Sequence, residues 1–71
     1  MKLSARNQLP CSVKSVRKGP IHAEVTLVLD GTAYEITAVI TTGSAKRLGL
    51  KKGAPAVALI KSSSIILGVD E

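Results

Sequence analysis

Two segments with alternating apolar and polar residues decide the fold: residues 21–29, with the sequence IHAEVTLVL, and residues 34–40, with the sequence YEITAVI. Successive side chains of a strand point to opposite faces, so this alternation predicts two strands, each buried on one face. Asp30-Gly31 lies between them and is typical of a hairpin turn. We expect an antiparallel hairpin whose inward face consists of Ile21, Ala23, Val25, Leu27 and Leu29 from one strand and Tyr34, Ile36, Ala38 and Ile40 from the other.

Turn sequences at short intervals predict three more strands on either side of this hairpin. The first covers residues 11–17, where Val13 and Val16 depart from strict alternation and indicate a β-bulge. A nearly continuous apolar run over residues 56–60 predicts a strand that is buried on both faces. Residues 65–69 predict a short final strand, which brings the total to five.

The alternation stops after Thr41, and residues 44–50 predict one or two turns of helix. Thr42 or Ser44 is the expected N-cap, and Gly49 is the expected end. Five strands with a short helix between the third and the fourth predict an all-β fold, a small OB-like Greek-key barrel. We expect residues 1–71 to form a single domain.

The composition indicates that the chain gains stability by association. A chain of 71 residues buries little surface, and with one cysteine, one histidine and one aromatic residue it lacks disulfides, a Cys/His zinc site and large core side chains. Val28 and Val39 fall on the outer faces of the hairpin, as a contact between chains would require. We therefore expect a homo-oligomer. The single cysteine and the absence of a signal peptide or apolar span predict a cytoplasmic protein that does not contact a membrane.

Charge and residue types favour binding of an anion over catalysis. Ten Lys and Arg residues against five Asp and Glu residues leave a net charge of +5. The carboxylates form no obvious pair for acid–base chemistry, and neither Cys11 nor His22 has a visible catalytic partner. We expect no enzymatic activity, no cofactor and no directly ligated metal. Cys11 is expected to be a small buried apolar residue.

Three polar segments contain hydrogen-bond donors and no carboxylate: residues 4–7 (SARN), 41–44 (TTGS) and 61–64 (KSSS). Hydroxyls, backbone N–H groups and one or two fixed cations are the groups that stabilise a bound dianion. Arg6 and Lys61 together would neutralise a charge of −2. Each segment could equally be an ordinary loop, since Ser and Thr are common at turns and Ser44 could serve only as a cap.

The same segments carry a resemblance that extends over essentially the whole chain. SARNQL at 4–9, GPIHAEV at 19–25, AVIT at 38–41, LGLKKG at 48–53 and ALIKSS at 58–63 occur in the order and spacing of a Mop domain. The chain thus resembles the molbindins, and it is similar to the TOBE domains of molybdate-responsive regulators and transporter ATPases. The opening SARN together with the later KSS is the specific part of the match.

The resemblance implies an OB-like fold and a hexamer arranged as a trimer of dimers, with molybdate or tungstate held between chains for intracellular storage, buffering or homeostasis. The implied ligand-binding residues are Ser4, Arg6, Thr41, Ser44, Lys61 and Ser62. Many members carry alanine at the position of Ser62. Many also carry a small residue at the position of Pro20, whose missing N–H places in doubt any oxyanion site near the three-fold axis.

Two other interpretations remain open from the sequence. An OB fold with a charge of +5 could bind nucleic acid, but such modules stack bases on aromatic side chains, and Tyr34 is the only aromatic residue and is expected to face inward. The chain could also be a scaffold whose only task is assembly, such as a fragment of a transporter or regulator. We expect no nucleic-acid partner.

Overall fold

In the computed structural model, which describes residues 1–70, four antiparallel strands form a sheet that curls into an open half-barrel. The strands are β1 (Asn7–Lys18), β2 (His22–Leu29), β3 (Glu35–Thr41) and β4 (Pro55–Ile60). A short helix, α1 (Thr42–Arg47), connects β3 to β4, and a 3₁₀ turn over Ser62–Ser64 follows β4. The strand order is β3-β2-β1-β4, so the last strand crosses over to pair with the first. The all-β architecture and the position of the helix are as predicted.

The core lies on the concave face of the sheet and is built from small side chains. Cys11, Val13, Val25 and Leu27 form its buried centre, and apolar residues of β3 and β4 pack against them. The inward faces predicted for β2 and β3 supply part of this core, but Ile21, which precedes β2, is 67% exposed and does not face inward as predicted. Cys11 is a buried apolar residue, as expected.

The predicted bulge in β1 is confirmed, but the strand begins four residues earlier than predicted. The pairing with β2 shifts register between Val13 and Ser15, so Lys14 is the extra residue. Pro10 does not end the strand because β2 pairs with β1 only from Cys11 onward, and β4 pairs on the other side from Asn7. The backbone polar groups of Pro10 face the β2 side, ahead of the first pair at Cys11, so the missing N–H breaks no ladder bond. The carbonyl oxygen of Pro10 accepts a hydrogen bond from the Asp30 amide (3.0 Å).

The fifth strand predicted over residues 65–69 is absent from the described part of the chain. These residues follow the 3₁₀ turn as an irregular segment, and Ile66, Leu67 and Val69 are 94%, 88% and 89% exposed. The apolar composition predicted burial, but no free strand edge of the same chain lies against this segment. We call residues 65–69 the apolar tail.

Two predicted burial patterns are also wrong. β4 is buried on one face only, because it is an edge strand of an open sheet, and Val57 and Leu59 remain partly exposed. Tyr34 is 75% exposed and does not face the core. It precedes β3 and lies in the hairpin loop, where its carbonyl oxygen accepts a hydrogen bond from the Leu29 amide (2.9 Å).

The helix begins earlier than predicted, and its N-cap is Thr41 instead of Thr42 or Ser44. The Thr41 hydroxyl oxygen accepts a hydrogen bond from the Ser44 amide (3.0 Å), which satisfies a free donor of the first turn. The hydroxyl of Thr42 instead donates to the carbonyl oxygen of Gly19 (2.8 Å) and ties the helix to the β1–β2 turn. Gly49 ends the helix as predicted, with a positive φ of 66° that glycine adopts without strain.

Candidate functional site

Arg6 and Lys61 lie at the same end of the sheet, each directly beyond the last pair of the β1–β4 ladder. The β1–β4 ladder ends with Asn7 opposite Ile60, so antiparallel register places Arg6 and Lys61 at the next cross-strand position. Lys61 keeps an extended backbone (φ −64°, ψ 131°), which continues the strand direction for one more residue. Both side chains line the same open cleft.

Hydrogen bonds from neighbouring side chains hold this end of the sheet together. The Asn7 side-chain amide donates to the carbonyl oxygen of Ile60 (3.2 Å), and the Gln8 side-chain amide donates to the carbonyl oxygen of Ala5 (3.0 Å). The Ser64 amide donates to the carbonyl oxygen of Lys61 (2.9 Å), which bends the chain into the 3₁₀ turn. The SARN segment is thus tied to Ile60, which directly precedes the KSSS segment, by a contact outside the cationic side chains.

The cleft between these segments combines positive charge with hydroxyl groups. Its volume is about 570 Å³, and it is lined by Ser4, Ala5, Arg6, Leu59, Lys61, Ser62 and Ser63. No carboxylate is among the lining residues. The only ion pair within residues 1–70 joins Lys14 to Glu35 and is remote from the cleft. Two cations at one cross-strand position repel each other, so a bound anion would stabilise the arrangement. We call this set the cationic cleft.

A second polar cluster lies at the junction of β3 and α1. The Thr41 and Ser44 hydroxyl oxygens are 2.8 Å apart and share a hydrogen bond. The Arg47 guanidinium lies one helical turn further on and donates to the Ser44 hydroxyl oxygen at 3.5 Å. Thr41 is exposed and Ser44 is half-buried. We call Thr41, Ser44 and Arg47 the hydroxyl cluster.

The structure brings four of the six predicted site residues together and places the other two elsewhere. Ser4, Arg6, Lys61 and Ser62 line the cationic cleft, beside the first residues of β1. Thr41 pairs with His22, next to the last residues of β1. The twelve residues of β1 correspond to a path of about 36 Å at roughly 3.3 Å per residue. The two groups therefore lie at opposite ends of β1 in the same chain.

Sequence reasoning missed Arg47 in this second group. Its position three residues after Ser44 is a usable signal, because residues i and i+3 of a helix share a face. The sequence alone does not distinguish Arg47 from its basic neighbours. Four cations follow one another closely and have the composition of a solvated basic stretch: Lys46, Arg47, Lys51 and Lys52.

Residues 1–70 contain neither a cluster that could hold a metal ion nor a helix that could span a membrane. No three His, Cys, Asp or Glu side chains of this part converge in a way that could hold a metal ion. Its single α-helix has six residues and is too short to cross a membrane. The cationic cleft can hold an anion by charge and hydrogen bonds.

Proteins that are similar to this chain in sequence and fold are named for molybdenum or molybdate. Residues 3–67 match the TOBE domain family. The molybdenum transport protein ModE of Herbaspirillum seropedicae is 46% identical over 70 residues, which are 99% of this chain and 26% of that protein. Molybdenum-pterin-binding protein 1 of Clostridium pasteurianum is 43% identical over 67 residues, which are 94% of this chain and 97% of that protein. The chain thus spans about a quarter of ModE.

A solved structure agrees with the fold over nearly the full length. The cytoplasmic molybdate-binding protein ModG, crystallised with molybdate bound, has a TM-score of 0.91 and 50% identity, over 99% of this chain and 49% of that one. The family match covers far more than half of the chain, and the relatives named for molybdenum or molybdate are well above 30% identity. This chain therefore belongs to the TOBE domain family, among homologues that include molybdenum-pterin-binding and molybdate-binding proteins.

Proposed function

We propose that this chain binds molybdate or tungstate, a tetrahedral dianion, and holds it without chemical change. The observation that carries the proposal is the presence of Arg6 and Lys61 in one cleft that contains hydroxyl groups and no carboxylate. Two cations match a charge of −2, and an acceptor-only group would repel the oxyanion. The homologues named for molybdate or molybdenum support the same ligand.

The complete site is formed by two chains. One chain supplies the cationic cleft, with Ser4, Arg6, Lys61 and Ser62. A neighbouring chain supplies Thr41 and Ser44, because these residues lie at the other end of β1 in their own chain. Together the two halves surround the ion with about six to eight hydrogen bonds, by the donor capacity of these side chains and nearby amides.

The exposed apolar surface of the chain supports assembly into an oligomer, which we propose is a hexamer built as a trimer of dimers. The open mouth of the half-barrel is lined almost entirely by apolar residues of β2, β3 and β4. The apolar tail pairs with none of the four strands and is largely exposed, and Val39 on the outer face of β3 is 67% exposed. A second copy of the chain would cover these surfaces, since leaving them in water is unfavourable.

The proposed biological role is storage, buffering or homeostasis of the oxyanion in the cytoplasm. A site built only from donors and fixed charges can load and release its ion, but it cannot transform it. The cytoplasmic location of ModG supports this compartment. We propose no cofactor and no nucleic-acid or membrane partner.

The first test is a calorimetric titration of the purified full chain with molybdate, tungstate, sulfate and phosphate. We expect tight binding of the first two and much weaker binding of the others, since sulfate is too small for the cavity and protonated phosphate would find no acceptor. At one hundred times the dissociation constant, molybdate should add about 2.7 kcal/mol to the free energy of unfolding per independent site. Sulfate binding as tight as molybdate binding would refute the size criterion, and no molybdate binding would refute the function.

The apolar tail provides a test of assembly. Ile66→Asp should reduce the mass of the particle, because it places a charge on a side chain that is 94% exposed in the single chain but covered in the oligomer. Ile66→Val is the matched control and should assemble as the wild type does. Native mass spectrometry with and without molybdate reads out both subunit number and bound ions. Wild-type mass for Ile66→Asp would show that the tail is not at the interface.

The exposure of Tyr34 removes one sequence-based objection to nucleic-acid binding but does not favour it. Tyr34 lies in the same loop as Asp30. The Asp30 carboxylate would repel a phosphate backbone at the one place where a base could stack on an aromatic side chain. Single-stranded oligonucleotides should therefore not bind in a filter assay at physiological salt.

A further inference from the structure

We propose that Arg47 is a positioning residue of the oxyanion site. Arg47 acts on the ion through the Ser44 hydroxyl, and its charge adds a third cation to Arg6 and Lys61 of the cationic cleft. This inference rests on the proposed function. It concerns the half of the site that the neighbouring chain contributes. The geometry that carries it is the contact of the Arg47 guanidinium with the Ser44 hydroxyl oxygen, at 3.5 Å, beside the bond between Ser44 and Thr41.

A count of hydroxyl hydrogens shows that this cluster has a donor to spare. The Thr41 and Ser44 hydroxyls carry one hydrogen each, and their mutual bond uses one of the two. The remaining hydrogen needs an acceptor, whichever hydroxyl carries it. Arg47 cannot accept it because a guanidinium has only donors. The hydroxyl cluster therefore has one O–H that bonds to no acceptor within residues 1–70, and an oxyanion can accept it.

Arg47 adds two effects to that donor. A cation that donates to the Ser44 oxygen withdraws electron density and makes the hydroxyl hydrogens of the pair more positive, which strengthens their bond to an anion. Its charge also lies within about 6 Å of an oxygen held by Ser44, since a charge-assisted O–H···O⁻ bond adds only about 2.7 Å. Arg47 forms no ion pair within residues 1–70, so its charge is available to the ligand.

Lys46 provides a matched control for the charge of Arg47. It carries the same charge on the same helix, one residue earlier, and it is also exposed. It lies two positions from Ser44, and residues i and i+2 do not share a helix face. A general attraction of the basic helix for anions would make the two residues equivalent. Action through Ser44 would make only Arg47 matter.

The test compares molybdate binding by calorimetry for the full-length wild type, Arg47→Ala, Lys46→Ala, Ser44→Ala and the double variant Arg47→Ala/Ser44→Ala. Arg47→Ala should weaken binding about fivefold to tenfold, as expected for a charge-assisted hydrogen bond at long distance, and Lys46→Ala less than about twofold. In the Ser44→Ala background, Arg47→Ala should have less than half of its original effect on the logarithm of the dissociation constant. Circular dichroism of each variant establishes that the fold is retained.

The outcomes separate this inference from the proposed function. Wild-type affinity for Arg47→Ala, with binding lost in Arg6→Ala, overturns the role of Arg47 and leaves the site standing. Equal losses for Arg47→Ala and Lys46→Ala also overturn it, because they indicate a general field effect. An undiminished effect of Arg47→Ala without the Ser44 hydroxyl overturns the action through Ser44. No binding of molybdate by the wild type overturns the proposed function and this inference together.

Discussion

Substitution of Arg6 or Lys61 by alanine is expected to weaken molybdate binding by roughly 10- to 150-fold for each residue, the loss of a hydrogen bond to a charged group. Both residues line the cationic cleft, and they occupy one cross-strand position. Removal of either leaves part of the negative charge of the ion uncompensated in a site closed by a second chain, where water screens it poorly. Calorimetric titration of each variant measures the loss directly.

The fold should not account for this loss. Both side chains border an open cleft, and the hydrogen bonds of Asn7 and Gln8 that hold the segment in place remain. Without ligand, each variant should melt at or slightly above the wild-type temperature, because one of two repelling charges is gone. Lys51→Ala is the control, since Lys51 is an exposed cation outside the cationic cleft. If Arg6→Ala and Lys61→Ala both bind as the wild type does, the proposed site is in the wrong place.

A mixture of two inactive variants is expected to recover binding that neither shows alone. Arg6→Ala/Lys61→Ala loses the cationic half of every site, and Thr41→Val/Ser44→Ala loses the hydroxyl half. If each site takes one half from each of two chains, random exchange of subunits gives about a quarter of the sites two intact halves. Refolding the two variants together at equal concentration and titrating with molybdate measures the recovered fraction.

This experiment separates sites between chains from sites within a chain. Sites within one chain would remain inactive in every molecule of the mixture, so recovery would be zero. Each variant refolded alone gives the background, and wild type carried through the same procedure gives the full capacity. Zero recovery in a mixture that native mass spectrometry shows to contain hetero-oligomers would contradict a site shared between chains.

The strand pattern could be predicted from local sequence wherever one face of a strand is buried against the chain's own core. Alternation in β2 and β3 is such a case, because Ala23, Val25 and Leu27 point into the core and the residues between them point out. The bulge near Lys14 is predictable for the same reason, since the inward positions of β1 change parity there. Local sequence could not predict which partner buries an apolar segment. The apolar tail has the composition of a strand and forms none within its own chain.

Residue types alone determined the chemistry of the candidate site: three segments rich in donors, two cations and no carboxylate favour a dianion at any relative placement. Only the tertiary structure decided how these segments are grouped. The antiparallel pairing of β1 with β4 brings Arg6 and Lys61 to the same end of the sheet, and the same sheet carries Thr41 and Ser44 to the far end of β1. The physical reason is that charge and hydrogen-bonding capacity belong to individual side chains, whereas proximity depends on strand register and order, which connect residues more than fifty positions apart.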